Sequence, residues 1–474
     1  MEASQQIGQS LLTLPWIFST MGYGAATVLL LLFSFLSIFT QYILISLLSK
    51  YRSRISSMRT EQNNHFDDSN NEVVSTNLEE GTSTIDKQKS SMSLSQQRSA
   101  IDHHVVSYHE IMGELGGHKL WGQFSLLVVF VALLGLSTVQ IISTASNLYL
   151  LNSFFLKRTY TLIVGAIFSL IVLLPTFRHY RTFSFVALLA TFYTAWYMTI
   201  SSAATAPIEN VQYREGGENA SLQQFFSAFT ALLFMFGGHT AAIEKADVMD
   251  DRRFYAGAYA TATIYVYCIT LPTGISAYHT YGTSIANHHT TNAFYLFPSS
   301  VYRDIGLVLM CVHEFVAFGL FCGPLFHMWE KFLKVAPSAT TTIEMPLTRK
   351  LWVQRTTARL FVVAIMILIA VAIPFFGTIN GFLGAFTTTF GSFIIPCIVY
   401  NLSFGKTKIG GEDDTDHVLI PKWTRLNDHA IRILNWIVAI VVGILGVGIG
   451  GWAAMSTLIE NVEKFQLFDP CYGC

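Results

Sequence analysis

The 474-residue chain predicts an all-α polytopic membrane protein, and three observations predict it. Hydrophobic residues make up 52% of the chain and charged residues only 12%, whereas soluble domains carry about 25% charged residues. Eleven apolar stretches approach or reach the length that crosses a ~30 Å hydrocarbon core. Lysine and arginine divide 24 to 5 between alternate connecting loops, an asymmetry that orients the chain by the positive-inside rule. A net charge of −1 leaves no basic surplus for nucleic acid. The aromatic share, 14% with 37 Phe, suits contact with the lipid bilayer and its interfaces.

The first stretch is short, roughly 4–22, and no signal peptide is visible ahead of it. The others fall near 24–49, 120–150, 159–176, 183–204, 222–246, 255–279, 304–329, 356–376, 379–404 and 431–458. These read as one transmembrane transport domain over 1–458, with a short tail over 459–474. Between the second and third lies a stretch rich in Ser, Thr, Asn and Gln, residues 53–104, with almost no aromatic side chain. It has too little apolar surface to form a core and is expected to be a disordered cytoplasmic loop, open to kinases. With that loop inside, the Lys and Arg excess is cytoplasmic and the C-terminus is extracellular. The same orientation places the glycosylation sequon at Asn219 outside. It also puts Cys471 and Cys474 on an oxidising face, where a local disulfide is expected. A pair of cysteines falls short of the four ligands of a structural metal site, so neither a metal nor a cofactor is expected.

Two spanning segments break their apolar pattern. The sixth stops at "FMFGGHTAAIEK", residues 234–245, for Gly237, Gly238 and His239. Each glycine costs a helix roughly 1 kcal/mol relative to alanine, and non-helical backbone at membrane depth persists only where protein or a watery cavity covers it. The first segment carries Ser4, Gln5, Gln6, Gly8, Gln9 and Ser10 ahead of an apolar half-helix. The two are five segments apart, the layout of a five-plus-five inverted repeat with an eleventh helix appended. Transporters use such broken helices one and six to bind anions on half-helix N-termini and cations on freed carbonyls.

Within the spanning cores one carboxylate stands out, Glu314, preceded by His313. It lies eleven residues beyond Arg303, hence ~16 Å deep along a helix. Ionisable groups at that depth are functional by default.

A series of motifs resembles, in order and nearly end to end, the plant auxin influx carriers (AUX/LAX) of the amino acid/auxin permease family. They are "LLTLP" (11–15) followed by an aromatic residue, "ASNLYLLN" (145–152), "YTAWY" (193–197), "FGGH" (236–239), "PFFGTIN" (374–380), "GGWAAM" (450–455) and the terminal "CYGC". The resemblance implies a LeuT-like (APC-type) fold and proton-coupled uptake of indole-3-acetate across the plasma membrane. It places His239 in the central site and Gln5, Gln6 and Gln9, with Ser10 in the same polar cluster, beside the bound anion. Gly237 and Gly238 lie in the same break, and Asn147, Tyr193 and Asn380 are further substrate-binding candidates. This sequence departs from the family pattern in three respects. It shows no cytoplasmic N-terminus or first turns of helix one, Glu314 stands where the family usually has Gln, and the 53–104 loop is longer.

The chemistry fits an acid carrier. A carboxylate of pKa ~4–5 is mostly ionised outside a cell, and moving its charge against an inside-negative potential costs about 2.3 kcal/mol per 100 mV. One co-transported proton cancels that charge. His239, His313 and Glu314 are the proton-coupling candidates, a midplane histidine being suited by its pKa near ~6.5. Phe236, Phe315 and Phe318 are candidates to line an indole pocket. The alternative is a proton-coupled permease for neutral or aromatic amino acids, with Glu314 anchoring the ammonium group. No catalytic constellation is present in the sequence, so an enzyme is not expected.

Overall fold

A run of 20 apolar residues rises about 30 Å as a helix, and the chain is built from such runs. The computed structural model describes residues 2–76, 106–173, 180–205, 207, 211–213, 220–247, 249, 251–287, 292–335, 349–404 and 427–468. The side chains of residues 2, 4, 5, 9, 10, 59–76, 180, 181 and 287 fall outside that description. Asn219, Cys471, Cys474 and most of the 53–104 loop lie outside the described residues.

The first two apolar stretches form one helical run, Glu2–Thr76, with a single non-helical residue at Gly22 (φ 78°, ψ 170°). That left-handed φ is open to glycine and costly for other residues. It divides the run into α1 (2–21) and α2 (23–76). Contrary to the expected interruption, α1 has no break between Glu2 and Gly22. The backbone of α2 stays helical to Thr76, so residues 53–76 continue a helix where a structureless loop was expected. A helix already nucleated in the span extends without a second nucleation cost, even through the weak helix formers Ser, Asn and Asp. A short helix, α3 (Tyr108–Leu115), leads into α4 (Lys119–Leu151). Then come α5 (Lys157–Phe168) with a 3₁₀ extension to Leu173, and α6 (Tyr180–Ala204).

The sixth segment breaks where the glycines stand. Helix α7 (Leu222–Phe234) gives way to a 3₁₀ turn over Gly237–Ala241, followed by α8 (Ala242–Asp247). Then follow α9 (Phe254–Tyr281), α10 (Val301–Phe332) and α11 (Arg349–Ala372). The tenth segment is α12 (Phe376–Leu383), a π-helix Gly384–Ile394 and α13 (Ile395–Phe404). The eleventh is α14 (Asp428–Val442), a second π-helix Gly443–Gly450 and α15 (Gly451–Phe465). Nine helical runs among the described residues are long and apolar enough to cross a membrane. The Gly22 kink divides the first of them, and the short α5 with its 3₁₀ extension occupies the fourth apolar stretch of the sequence.

Large apolar side chains such as Leu31, Phe35, Leu127, Leu162, Ile200 and Ile440 are exposed on the outside of this bundle. In water such a surface would aggregate; in a bilayer it is solvated by lipid. At the end where the 50–118 loop leaves, charged groups tie elements together. Asp247 at the tip of α8 accepts from Arg52 Nε at 3.0 Å and from the backbone N–H of Val106 at 3.0 Å. Lys331 reaches Glu110 at 2.7 Å. The departure and the return of the long loop therefore meet on one carboxylate.

Candidate functional site

Two polar clusters sit inside the bundle. The first is centred on Glu314, which is 2% exposed. Helix α4 presents Ser143, Thr144 and Asn147 at i, i+1 and i+4, one face of a helix. The Ser143 hydroxyl donates to Oε1 through a short hydrogen bond, Thr144 Oγ1 donates to Oε2 at 2.8 Å, and Asn147 Nδ2 lies 3.1 Å from each oxygen. Every one of these partners is neutral, and no ion pair to Glu314 occurs among the described residues. A buried carboxylate ordinarily needs a cation or a full set of donors. Here it has donors alone, two of them hydroxyls that can rotate to accept instead. The site therefore satisfies Glu314 as a carboxylate and as a carboxylic acid, which is what a reversible proton site requires.

The second cluster holds His239, which is fully buried. Its Nε2 lies 2.9 Å from Thr40 Oγ1 and 3.2 Å from the Ser37 carbonyl of α2. A carbonyl can only accept, and Thr40 already donates to the Leu36 carbonyl at 3.0 Å, so this geometry assigns the proton to Nε2. Ser37 Oγ in turn meets Tyr259 OH of α9 at 2.7 Å, and the Tyr259 ring lies edge-on to the imidazole. His239 thus braces the broken sixth segment against α2 and α9. The break itself is covered by the tenth segment. Ser392 Oγ donates to the Phe236 carbonyl at 3.4 Å, and a Cβ at Gly237 would come within 2.8 Å of Thr388 Oγ1. Backbone freed at membrane depth is satisfied by a neighbouring segment.

His313, buried beside Glu314 in sequence, points elsewhere. Its ring approaches α1, where a Cβ on Gly8 would fall 2.0 Å from His313 Nε2. This explains the glycine in the first-segment polar run. Gly8→Ala is expected to lower the stability of the purified protein by roughly 1–3 kcal/mol, the usual cost of overpacking. In a His313→Ala background the same change should cost far less. Thermal unfolding of the four proteins in detergent measures this coupling, and additive losses would contradict the contact.

The remaining sequence candidates divide. Gln6 is buried near Thr263 of α9, with 3.5 Å between Oε1 and the threonine hydroxyl. The side chains of Gln5, Gln9 and Ser10 lie outside the described residues. Tyr193 donates to the Tyr302 carbonyl at 3.2 Å, on the seam of α6 and α10, and joins neither cluster through a hydrogen bond. Asn380 is 1% exposed, and neither end of its amide has a hydrogen-bond partner among the described residues. The expected indole pocket of Phe236, Phe315 and Phe318 is not assembled. Phe315 and Phe318 pack on Phe168 of α5, with centroids 5.3 and 4.9 Å away, and Phe236 belongs to a separate apolar core with Leu14 and Phe393. Residues three apart on α10 share a face, and that face is turned to α5. An apolar cavity of about 220 Å³ lies between α4, α11, α12 and α15, lined by Leu134, Gly135, Ile369, Ile379 and Leu458, and includes no residue of either polar cluster. Sequence reasoning missed Ser143, Thr144, Ser37, Thr40 and Gln41. The last is a fully buried amide with neither end partnered among the described residues. The Ser-Thr-x-x-Asn spacing was the available sign for the first two.

The sequence profile described as "Transmembrane amino acid transporter protein" matches residues 90–453. "Auxin transporter-like protein 1" of Medicago truncatula is 32% identical over 474 residues, covering all of this chain and 86% of that protein. "Auxin transporter protein 1" of Arabidopsis thaliana is 32% identical over 473 residues, covering all of this chain and 85% of that protein. "Auxin transporter-like protein 1" of rice, Oryza sativa subsp. japonica, is 31% identical and is covered to 84%. A solved structure described as the inward-facing conformation of Mhp1 superimposes with a TM-score of 0.42 at 12% identity, over 96% of this chain and 90% of that one. With nine helical runs among the described residues long and apolar enough to cross a membrane, and similarity to the auxin transporter-like relatives over its full length, the chain is a membrane transporter, not an enzyme, and belongs to the transmembrane amino acid transporter family, among the auxin transporter-like proteins.

Proposed function

We propose that the protein imports indole-3-acetate, or an aromatic carboxylate of the same class, across the plasma membrane together with protons. The relatives' names point to auxin as the substrate. The observation that carries proton coupling is Glu314, a buried carboxylate held by four neutral contacts that serve both of its charge states. In this reading Glu314 takes a proton from the outer side, the anion binds, and both leave on the inner side. His239 holds the broken sixth segment against α2, and Gln6 and Asn380 offer buried amides toward the substrate. The 53–104 loop is cytoplasmic in this orientation and open to kinases.

An amino acid substrate would need Glu314 for its ammonium group. The donors from α4 already occupy both carboxylate oxygens, so an ammonium would have to displace them. The deciding measurement is uptake of labelled indole-3-acetate and of tryptophan into proteoliposomes with an acidic exterior. Indole-3-acetate should accumulate above equilibrium and lose that accumulation when a protonophore is added, while tryptophan should only equilibrate. Gradient-driven accumulation of tryptophan alone would reject the acid-carrier reading.

A further inference from the structure

The Glu314 site is tied to a segment outside the spanning core. Asn292 lies in the connection ahead of α10, at the end the charge count assigns to the outside, and is 4% exposed. Its Oδ1 accepts from the backbone N–H of Phe294 at 3.1 Å, capping the 3₁₀ turn Ala293–Leu296. That leaves its Nδ2 to donate, and it does so to Asn147 Oδ1 at 2.8 Å. Asn147 Nδ2 then faces both oxygens of Glu314. A backbone N–H cannot accept, so the direction of the whole chain of bonds is set at Phe294 and passes through two amides to the carboxylate.

We propose that Asn292 is a positioning residue for Glu314: by donating to Asn147 it fixes which end of that amide meets the carboxylate, and so sets the pH at which Glu314 exchanges its proton. This rests on the coupling role proposed above for Glu314. Hydroxyls at Ser143 and Thr144 are free to rotate between donating and accepting, whereas a primary amide must turn over completely to do so. With Asn292 in place, Asn147 offers two donor contacts whatever the charge on Glu314. Donors to the charged form favour that form, so the relay opposes premature protonation and leaves the two hydroxyls to adjust when the proton arrives.

The other titratable or charged groups around the site are few. On α10 they are His313, which faces Gly8, Cys311, and, nearer the end of the helix, the Arg303–Asp304 pair. Helix α4 contributes Tyr149 and the 3₁₀ turn contributes Tyr295, and Lys157 of α5 has its Nζ 5.1 Å from the centre of each of those rings. Helix α6 brings Tyr193 and Tyr197, and α1 brings no titratable group among its described side chains. The Arg355 and Arg359 pair of α11 is engaged with Glu330 at the other end of α10. None of these is a hydrogen-bond partner of Glu314, so its hydrogen bonding is set by Ser143, Thr144 and the amide of Asn147.

Asn292→Asp keeps an oxygen for the Phe294 cap but replaces the donor to Asn147 with an acceptor. Asn147 should then turn its Nδ2 toward the introduced carboxylate and its Oδ1 toward Glu314. The pH midpoint of gradient-driven indole-3-acetate uptake in proteoliposomes should rise by about one unit, and the infrared band of a protonated carboxylic acid should persist to correspondingly higher pH. Asn292→Ala removes the donor without adding charge and should shift both readouts the same way by less; it carries the same comparison if the aspartate variant does not reach the membrane. Both shifts must vanish when Glu314→Gln is added. Wild-type midpoints and bands in both single variants, or a shift that survives in the double variant, would overturn the proposal while leaving the coupling role intact. A wild-type pH profile in Glu314→Gln alone would instead remove the coupling role and this inference with it.

Discussion

Glu314→Gln is expected to abolish proton-driven accumulation of indole-3-acetate while leaving substrate binding and counterflow exchange near wild type. Glutamine has the shape of the carboxylate. Its carbonyl oxygen can accept from one of Ser143 and Thr144, and its amide can donate to the other, whose hydroxyl rotates, so the cluster between α4 and α10 stays bonded. What disappears is the ability to take up and release a proton. One coupled proton multiplies the steady-state accumulation ratio by about fifty at 100 mV, from about 2.3 kcal/mol of electrical work, and by about ten more for each unit of pH gradient. The variant should therefore bring the substrate only to the level its own charge and gradient dictate. Because glutamine keeps the shape and the hydrogen-bonding partners, the variant isolates what the carboxylate adds here. Accumulation and a pH profile both equal to wild type, at matched protein density, would reject the coupling role.

Much of this site was readable before the structure, and the limits of that reading have physical causes. The spanning helices follow from hydropathy because a bilayer admits little else than long apolar helices. The break at Gly237 and Gly238 was visible because two glycines and a histidine have no reason to interrupt a span without a covering partner. Glu314 was visible because a lone carboxylate at that depth is costly. The partners of these residues were not. Thr40 and Ser37 meet His239 across 199 and 202 residues of sequence, and hydroxyls are too common in membrane helices to announce a contact. The aromatic pocket failed for a different reason. Phe315 and Phe318 are near Glu314 in sequence, yet α10 turns them to Phe168. The polar run of α1 read as a broken helix, but Gly8 is there to let His313 approach. A glycine in a span can mean a break or a close contact, and composition does not distinguish them.

His239→Ala is expected to reduce proton-driven uptake at least tenfold, with the protein still inserted and folded. The imidazole joins α8 and the 3₁₀ turn to α2 through Thr40 and Ser37, and its edge-on contact with Tyr259 extends the brace to α9. Alanine removes a buried hydrogen bond worth about 0.5–1.5 kcal/mol net, while the Ser37 carbonyl keeps its contact with Thr40 Oγ1 at 3.2 Å. Losses of that size leave a spanning domain assembled but free the break to move away from α2 and α9. The decisive comparison is His239→Gln. Glutamine Nε2 can reach the position of the imidazole Nε2 and donate to the same carbonyl, but it cannot hold a transferable proton. If His239 acts as the brace and Glu314 as the proton site, Gln should restore at least half of wild-type uptake and leave its pH midpoint in place. Glutamine as inactive as alanine, across pH 5–7 and at equal surface expression, would move the coupling proton to His239 and away from the α4–α10 cluster.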